Sequence, residues 1–99
     1  MPGIKYHPKA RAEAFRAAEF YQKRVSGLGA EFFDELERAV EQLLQDPLRR
    51  PADPDGIRNW RLKRFPFRVY YAFDAERIRI LAVAHLRRQT GYWRQRIDD

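Results

Sequence analysis

The sequence has no cysteine, and it has only one serine and two histidines among its 99 residues. Without cysteine, it can form neither a disulfide framework nor a thiolate metal site. Ser26 lies between two predicted helices, and His7 and His85 fall on different predicted strands, so no nucleophile–base pair is indicated. The phosphate-cradling patterns GxGxxG and GxxxxGK are also missing. We therefore expect neither a metal nor a cofactor.

Long apolar runs are missing as well. No run approaches the length of a bilayer-spanning helix, and no apolar segment of a signal peptide follows Met1-Pro2-Gly3. The lack of cysteine fits a reducing compartment. We expect a cytoplasmic protein without membrane contact. Residues 1–99 are enough for a single hydrophobic core, so we expect one domain.

Acidic residues are scarce in the second half of the chain. Residues 1–49 balance eight basic side chains with eight acidic ones, whereas residues 50–99 hold twelve basic and six acidic ones. The net charge of +6 therefore resides entirely in the second half, and arginine outnumbers lysine sixteen to four. Arginine forks match phosphates and carboxylates bidentately. This pattern indicates a polyanionic partner, either nucleic acid or an acidic protein segment, or else a solvated basic surface.

Two amphipathic helices are predicted before the basic half, over residues 8–25 and 29–45. Pro8 suits the first position of a helix, Gly27 suits the C′ position that ends the first one, and Asp46-Pro47 ends the second. A short glycine-containing turn between them predicts an antiparallel hairpin that packs on a sheet. The acidic residues Glu31, Asp34 and Glu35 are expected in solvent near the start of the second helix. The expected buried stripes are Ala10, Ala14, Ala18, Tyr21 and Val25 on the first helix, and Phe32, Leu36, Ala39, Val40, Leu43 and Leu44 on the second.

The remaining elements are predicted strands. Residues 3–7 alternate as a short first strand, residues 46–58 form a loop rich in proline and aspartate, and residues 60–85 form a three-stranded antiparallel meander with corners at Phe65-Pro66 and residues 74–77. We therefore predict an α+β fold in which the first strand joins the sheet at an edge. The predicted helix-covered face carries Trp60, Leu62, Val69, Tyr71, Ile78, Ile80, Ala82 and Ala84. The predicted outer face carries Arg61, Lys63, Arg68 and Tyr70.

The segment after the meander, residues 86–96, interleaves four arginines with two large aromatic residues, Tyr92 and Trp93. Aromatic rings between cations suit base stacking beside phosphate contacts. They equally suit an anchor that holds the chain end on the sheet. The sequence leaves both alternatives open.

A cationic face can perform one kind of chemistry without a metal. In RNA cleavage a 2′-oxygen attacks the adjacent phosphate, and the reaction needs a base, an acid and positive charge at the developing phosphorane. Arginine and lysine supply the charge, and His85 or Tyr92 could move protons. The alternatives are a structural histidine at a strand end and a solvated or partner-covered arginine face. The candidate catalytic residues are Arg61, Lys63, Arg68, His85, Arg88 and Tyr92.

The segments LKRFPFRVYY and VAHLRRQTGYW, set behind a strand and a helical hairpin, resemble the RelE/ParE superfamily of type II toxin–antitoxin toxins over residues 4–96. The resemblance implies a small α+β toxin that a cognate antitoxin neutralises, and that contacts operator DNA only through the antitoxin. RelE-like members are ribosome-dependent mRNA endonucleases, which use cationic and tyrosine side chains at places near the candidate residues. ParE-like members lack that set and inhibit DNA gyrase. The two long predicted helices favour a ParE-like gyrase inhibitor, and a RelE-like metal-independent mRNA interferase is the alternative.

Overall fold

The computed structural model describes residues 3–99 and shows two helices on one face of a four-stranded sheet. The predicted α+β fold is therefore confirmed. The elements in chain order are β1 (Gly3–Tyr6), α1 (Pro8–Arg24), α2 (Leu28–Gln45), β2 (Ile57–Arg61), β3 (Phe67–Asp74), β4 (Arg77–His85) and a final 3₁₀ helix (Arg94–Asp98). In the described part of the chain, no helix is both long and apolar enough to cross a membrane.

The sheet has the strand order β1-β4-β3-β2. The meander β2-β3-β4 is antiparallel, as predicted, and β1 joins its edge in parallel with β4. The parallel pairing arises because the chain crosses over through α1 and α2 before it returns to the sheet. The first strand is one residue shorter than predicted. His7 instead caps α1, where its Nδ1 accepts a hydrogen bond from the Lys9 backbone at 3.0 Å.

An irregularity in β4 reverses the predicted faces of its second half. Tyr70 is opposite Ala82 and Tyr71 is opposite Ile80, so Leu81 has no counterpart on β3. Such an extra residue is a β-bulge, and it shifts every later side chain to the other face. Ile80 therefore lies in the helix-covered core, whereas Ala82 belongs to a cluster on the opposite face. The prediction that Ala82 and Ala84 share a face with Ile78 and Ile80 was wrong.

The helical hairpin packs through small residues on α1. The buried hydrophobic residues of α1 are all alanines, namely Ala10, Ala14, Ala17 and Ala18. Val25 was predicted to be buried but is exposed, because the chain leaves α1 there with extended dihedral angles. Gly27 has a φ of +91° and directly precedes α2 rather than forming the predicted C′ end of α1.

The outer face of the sheet was predicted to be open. In the structure it carries a second apolar cluster. The chain after β4 folds back over this face and buries Trp93, which is only 1% exposed. The ring of Trp93 lies 4.5 Å from that of Tyr70, centroid to centroid. Ile57 and Leu81 complete the apolar surroundings. Of the two roles predicted for the tail, the structure therefore shows the anchor.

Candidate functional site

One cavity joins the end of β4 to the C-terminal segment and contains four of the six candidate residues. Its volume is ≈ 160 Å³. Arg68 enters it from β3, His85 from the end of β4, and Arg88 and Tyr92 from the following turns. The other residues that line this C-terminal cavity are Tyr70, Ala84, Leu86, Gln89, Thr90 and Trp93.

The other two candidates, Arg61 and Lys63, lie outside this cavity. Arg61 is paired with Arg68 across β2 and β3, so the two cationic residues are neighbours on the sheet. Lys63 was predicted to lie on the outer face of a strand, but it lies in the turn beyond the end of β2. Both residues line a different groove, together with Arg38 and Trp60. Lys63 is therefore separated from His85 and Tyr92.

Glu13 of α1 is the functional residue that sequence reasoning missed. Its carboxylate is buried and accepts hydrogen bonds from the Val83 backbone at 3.0 Å and from the Tyr92 hydroxyl at 2.7 Å. It also forms two 3.0 Å bonds with Arg96 and a longer one of 3.5 Å with Arg88. Glu13 lies three residues after Ala10, which belongs to the predicted buried stripe of α1. Residues at this spacing share a helix face, so the spacing was the available signal that Glu13 is buried.

The Glu13 contact controls the proton of Tyr92. Burial raises the pKa of the Tyr92 phenol, and the hydrogen bond to Glu13 and the charge of Glu13 raise it further. Arg88 and Arg96 lower it, but the net shift is strongly upward. The Arg88 guanidinium also lies over the Tyr92 ring, 3.8 Å from its centroid. The phenol is thus a protonated donor whose hydrogen is directed at Glu13.

The imidazole of His85 is held by local contacts. Its Nδ1 accepts a hydrogen bond from the Arg87 backbone at 3.0 Å, and its ring stands at 77° to that of Phe67 with centroids 5.1 Å apart. Because Nδ1 is an acceptor, the neutral ring carries its proton on Nε2. His85 also lines the C-terminal cavity.

The C-terminal cavity is rich in donors. Within residues 3–99, neither the Nε of Arg68 nor the Nε1 of Trp93 has a hydrogen-bond partner, although both atoms are buried. No carboxylate is among the described residues that line the cavity. A cavity lined by cationic side chains and by no carboxylate favours an anion. Residues 3–99 contain no cluster of three or more histidine or carboxylate side chains that could hold a metal ion.

A second buried carboxylate, Glu35 of α2, positions the turn that carries Lys63. It accepts hydrogen bonds from the backbone N–H groups of Lys63 and Arg64, the latter at 3.0 Å to Oε2. The prediction that Glu35 is in solvent was wrong, because the β2–β3 turn covers it. The exposed neighbour Glu31 pairs instead with the Arg64 side chain at 2.8 Å.

An apolar groove of ≈ 320 Å³ runs between β1 and the two helices. Phe15 is 58% exposed on its wall and stands edge-to-face with Phe33, with centroids 5.3 Å apart. The groove adjoins β1, whose second edge has no paired strand among the described residues. Ile4, Tyr6, Ala14, Leu36 and Val40 form most of its remaining lining.

Comparisons with known proteins agree with the fold. The family model described as "ParE toxin of type II toxin-antitoxin system, parDE" matches residues 4–90. A solved structure described as the chromosomal ParDE TA system from P. aeruginosa is similar, with a TM-score of 0.76 and 22% sequence identity. That match covers 86% of this chain and 96% of the other one, and at this identity it shows a shared fold alone. No curated protein sequence matches this chain.

Proposed function

We propose that this chain, which belongs to the family of ParE toxins of type II toxin–antitoxin systems, inhibits growth by binding DNA gyrase and catalyses no reaction itself. The observation that carries the non-catalytic part of this proposal is the 2.7 Å hydrogen bond from Tyr92 to Glu13. It directs the tyrosine proton at a buried carboxylate rather than at a substrate. The position of Lys63 outside the C-terminal cavity further weakens a catalytic assignment.

The target is tested with the purified toxin in two assays run side by side. We expect micromolar toxin to inhibit DNA supercoiling by gyrase and to leave mRNA on programmed ribosomes intact. Absence of gyrase inhibition at this concentration would refute the proposal. A heat-treated sample and an antitoxin-bound sample serve as controls, since both should leave supercoiling unaffected.

The second candidate function is a metal-independent mRNA endonuclease, and the C-terminal cavity favours it. Its lining by Arg68, His85 and Arg88, without a carboxylate, suits a phosphate. If ribosome-bound mRNA is cleaved, Arg68→Ala combined with Tyr92→Phe should abolish the cleavage. Arg77→Ala, at the opposite end of β4, is the matched control and should not change it.

We further propose that the cognate antitoxin fills the apolar groove and covers the free edge of β1. A partner segment with apolar side chains would shield Phe15 and could extend the sheet through backbone hydrogen bonds. Phe15→Asp should therefore weaken antitoxin binding at least tenfold. Phe20→Asp is the matched control, because Phe20 is 51% exposed on the same helix but does not line the groove. Titration calorimetry measures the antitoxin affinity of both variants. Equal affinities would contradict the apolar groove as the antitoxin-binding site.

A further inference from the structure

Six cationic side chains lie around Trp60 at the β2 edge of the sheet. They come from α2, from the loop before β2, from β2 itself and from the turn after it. The Arg50 guanidinium lies over the Trp60 ring, 4.2 Å from its centroid, and that of Arg49 lies 6.0 Å away. Trp60 also lines a groove with Arg38, Arg61 and Lys63. The arginine surface consists of Arg38, Arg49, Arg50, Arg58, Arg61 and Lys63.

The arginine surface is not neutralised from within the chain. Some cations elsewhere in the molecule are paired with carboxylates, as Arg94 is with Asp53 and Asp55. Among residues 3–99, no carboxylate lies within ion-pair distance of any member of the arginine surface. The one carboxylate in its groove, Glu35, is directed at backbone N–H groups of the following turn. The surface therefore presents positive charge without a bound counter-charge to solvent.

Contacts within the chain hold the loop part of the arginine surface in place. The Arg58 guanidinium donates hydrogen bonds to the backbone carbonyls of Leu48 and Arg50, which fixes the loop against β2. The Tyr71 hydroxyl donates to the carbonyl of Pro47 at 3.0 Å and holds the same loop from the sheet side. Cations that are already in position lose less conformational entropy on binding.

Duplex DNA fits this surface better than single strands or a protein. Trp60 is only 7% exposed, with Arg50 over its ring, so it offers no stacking platform to an unpaired base. A protein interface would need an apolar centre with few charges, whereas the only large apolar side chain exposed in the adjoining loop is Leu48. The phosphates of a duplex need neither feature, because backbone contacts require only spaced cations.

We propose that the arginine surface binds the phosphate backbone of duplex DNA without reading its sequence. This contact is direct, and it differs from the expectation that the toxin contacts operator DNA only through its antitoxin. The proposal does not rest on gyrase as the target. Because it is tested without gyrase or antitoxin, its failure and the failure of the proposed function are distinguishable.

The test is fluorescence anisotropy of a labelled 20-base-pair DNA duplex with the antitoxin-free chain over a range of salt concentrations. If four or five phosphates are neutralised, the logarithm of the binding constant should fall with the logarithm of salt with a slope of about −4. The triple variant Arg38→Gln, Arg61→Gln and Lys63→Gln should bind at least tenfold more weakly. It should also reduce the slope by about 2 to 3.

The matched control is the triple variant Arg16→Gln, Lys23→Gln and Arg77→Gln, which removes the same charge from other exposed positions. We expect it to bind within about twofold of the natural chain, apart from a weak long-range effect of net charge. Equal weakening by the two triple variants would overturn the proposal, since net charge alone would then explain binding. Tighter binding to a single strand, or equal displacement of the duplex by polyglutamate, would overturn it as well. Circular dichroism of each variant verifies that the fold is retained.

Discussion

Glu13 and Arg96, which are 83 residues apart, form two hydrogen bonds of 3.0 Å in the interior of the molecule. This pair joins α1 to the final 3₁₀ helix. Arg96 also donates to the carbonyl of Leu81 at 2.9 Å, so the same side chain is bound to the bulge in β4. The fold of the C-terminal segment therefore depends on a buried charge pair.

Removing only one member of this pair should be strongly destabilising. Glu13→Ala leaves the buried Arg96 without a counter-charge, and we expect it to lower the free energy of unfolding by about 3–5 kcal/mol. Urea denaturation of the variant measures this loss. Glu19→Ala is the control, because Glu19 pairs with Lys23 on the surface and should matter little.

The double variant Glu13→Leu with Arg96→Leu removes both charges together. We expect it to lose less stability than the two single losses combined, since no uncompensated charge remains buried. Additive losses would show that the pair itself is not coupled.

Tyr92 should make the fold sensitive to alkaline pH. Its pKa in the folded chain is raised above the ordinary value of 10.0, first by burial and then by Glu13. The folded state therefore holds the phenolic proton more tightly than the unfolded state does. The resulting stability is present below about pH 10 and is lost as pH rises toward the folded pKa.

Urea denaturation between pH 8 and 11 measures this effect as a difference between the natural chain and Tyr92→Phe. The variant should show a shallower alkaline decline, although not a flat one, because burial also raises the pKa of Tyr6, Tyr21 and Tyr71. Identical alkaline slopes would contradict the assignment.

Asp53 should contribute a second pH dependence of opposite sign. Burial would by itself raise its pKa, but hydrogen bonds from the Ile57 and Asp55 backbones and from Arg94 hold it below the ordinary value. The two backbone bonds are both 2.9 Å long. The folded state thus favours the ionised carboxylate, and the stability is present above about pH 4 and is lost as pH falls through the folded pKa.

The variant Asp53→Asn keeps an acceptor oxygen but removes the charge. We expect it to be less stable than the natural chain by about 1 kcal/mol at pH 7, since hydrogen bonds to a charged acceptor are the stronger ones. The difference should shrink as pH falls through the folded-state pKa of Asp53, which lies below the ordinary value. A difference that stays constant across the acid range would argue against the ionised carboxylate as its source.

Gly29 should be required for the close approach of the two helices. A Cβ atom at this position would lie 2.8 Å from the backbone oxygen of Ala18, which cannot move aside as a flexible side chain could. Gly29→Ala should therefore destabilise the fold by about 1–3 kcal/mol. Gly3→Ala is the matched control, because no atom lies within 4 Å of its added Cβ. Thermal unfolding of the two variants tests the contact, and equal melting temperatures would exclude it.

Much of the architecture could be predicted because its signals are local. Pro8 and Asp46-Pro47 mark helix ends through constraints on neighbouring dihedral angles, and the observed ends lie within one residue of the predicted ones. The alternation of polar and apolar residues from Phe67 to Phe73 likewise indicates a strand with one buried face. The meander also predicted one cationic face with six candidate residues, of which the structure brings Arg68, His85, Arg88 and Tyr92 together around one cavity.

The bulge at Leu81 had no such signal. The run from Ile80 to Ala84 is apolar throughout, so no polar residue marks which side chain faces solvent. Both sides of β4 are covered, one by the helices and the other by Trp93, and either phase of alternation is compatible with the sequence. Only the pairing with β3 reveals the extra residue.

By itself, the sequence determined the α+β arrangement, the helical hairpin and the basic second half, because periodicity, breakers and charge act over a few residues. The resemblance to a toxin family rested on the segments LKRFPFRVYY and VAHLRRQTGYW. The tertiary structure alone decided that Glu13 and Glu35 are buried, that Lys63 is separated from Tyr92, and that the cations around Trp60 form one surface. Those outcomes depend on partners that are distant in sequence: the carboxylate of Glu13 is satisfied by groups 70 to 83 residues away. Burial of a charge is favourable only where such partners converge, and convergence is a property of the folded chain.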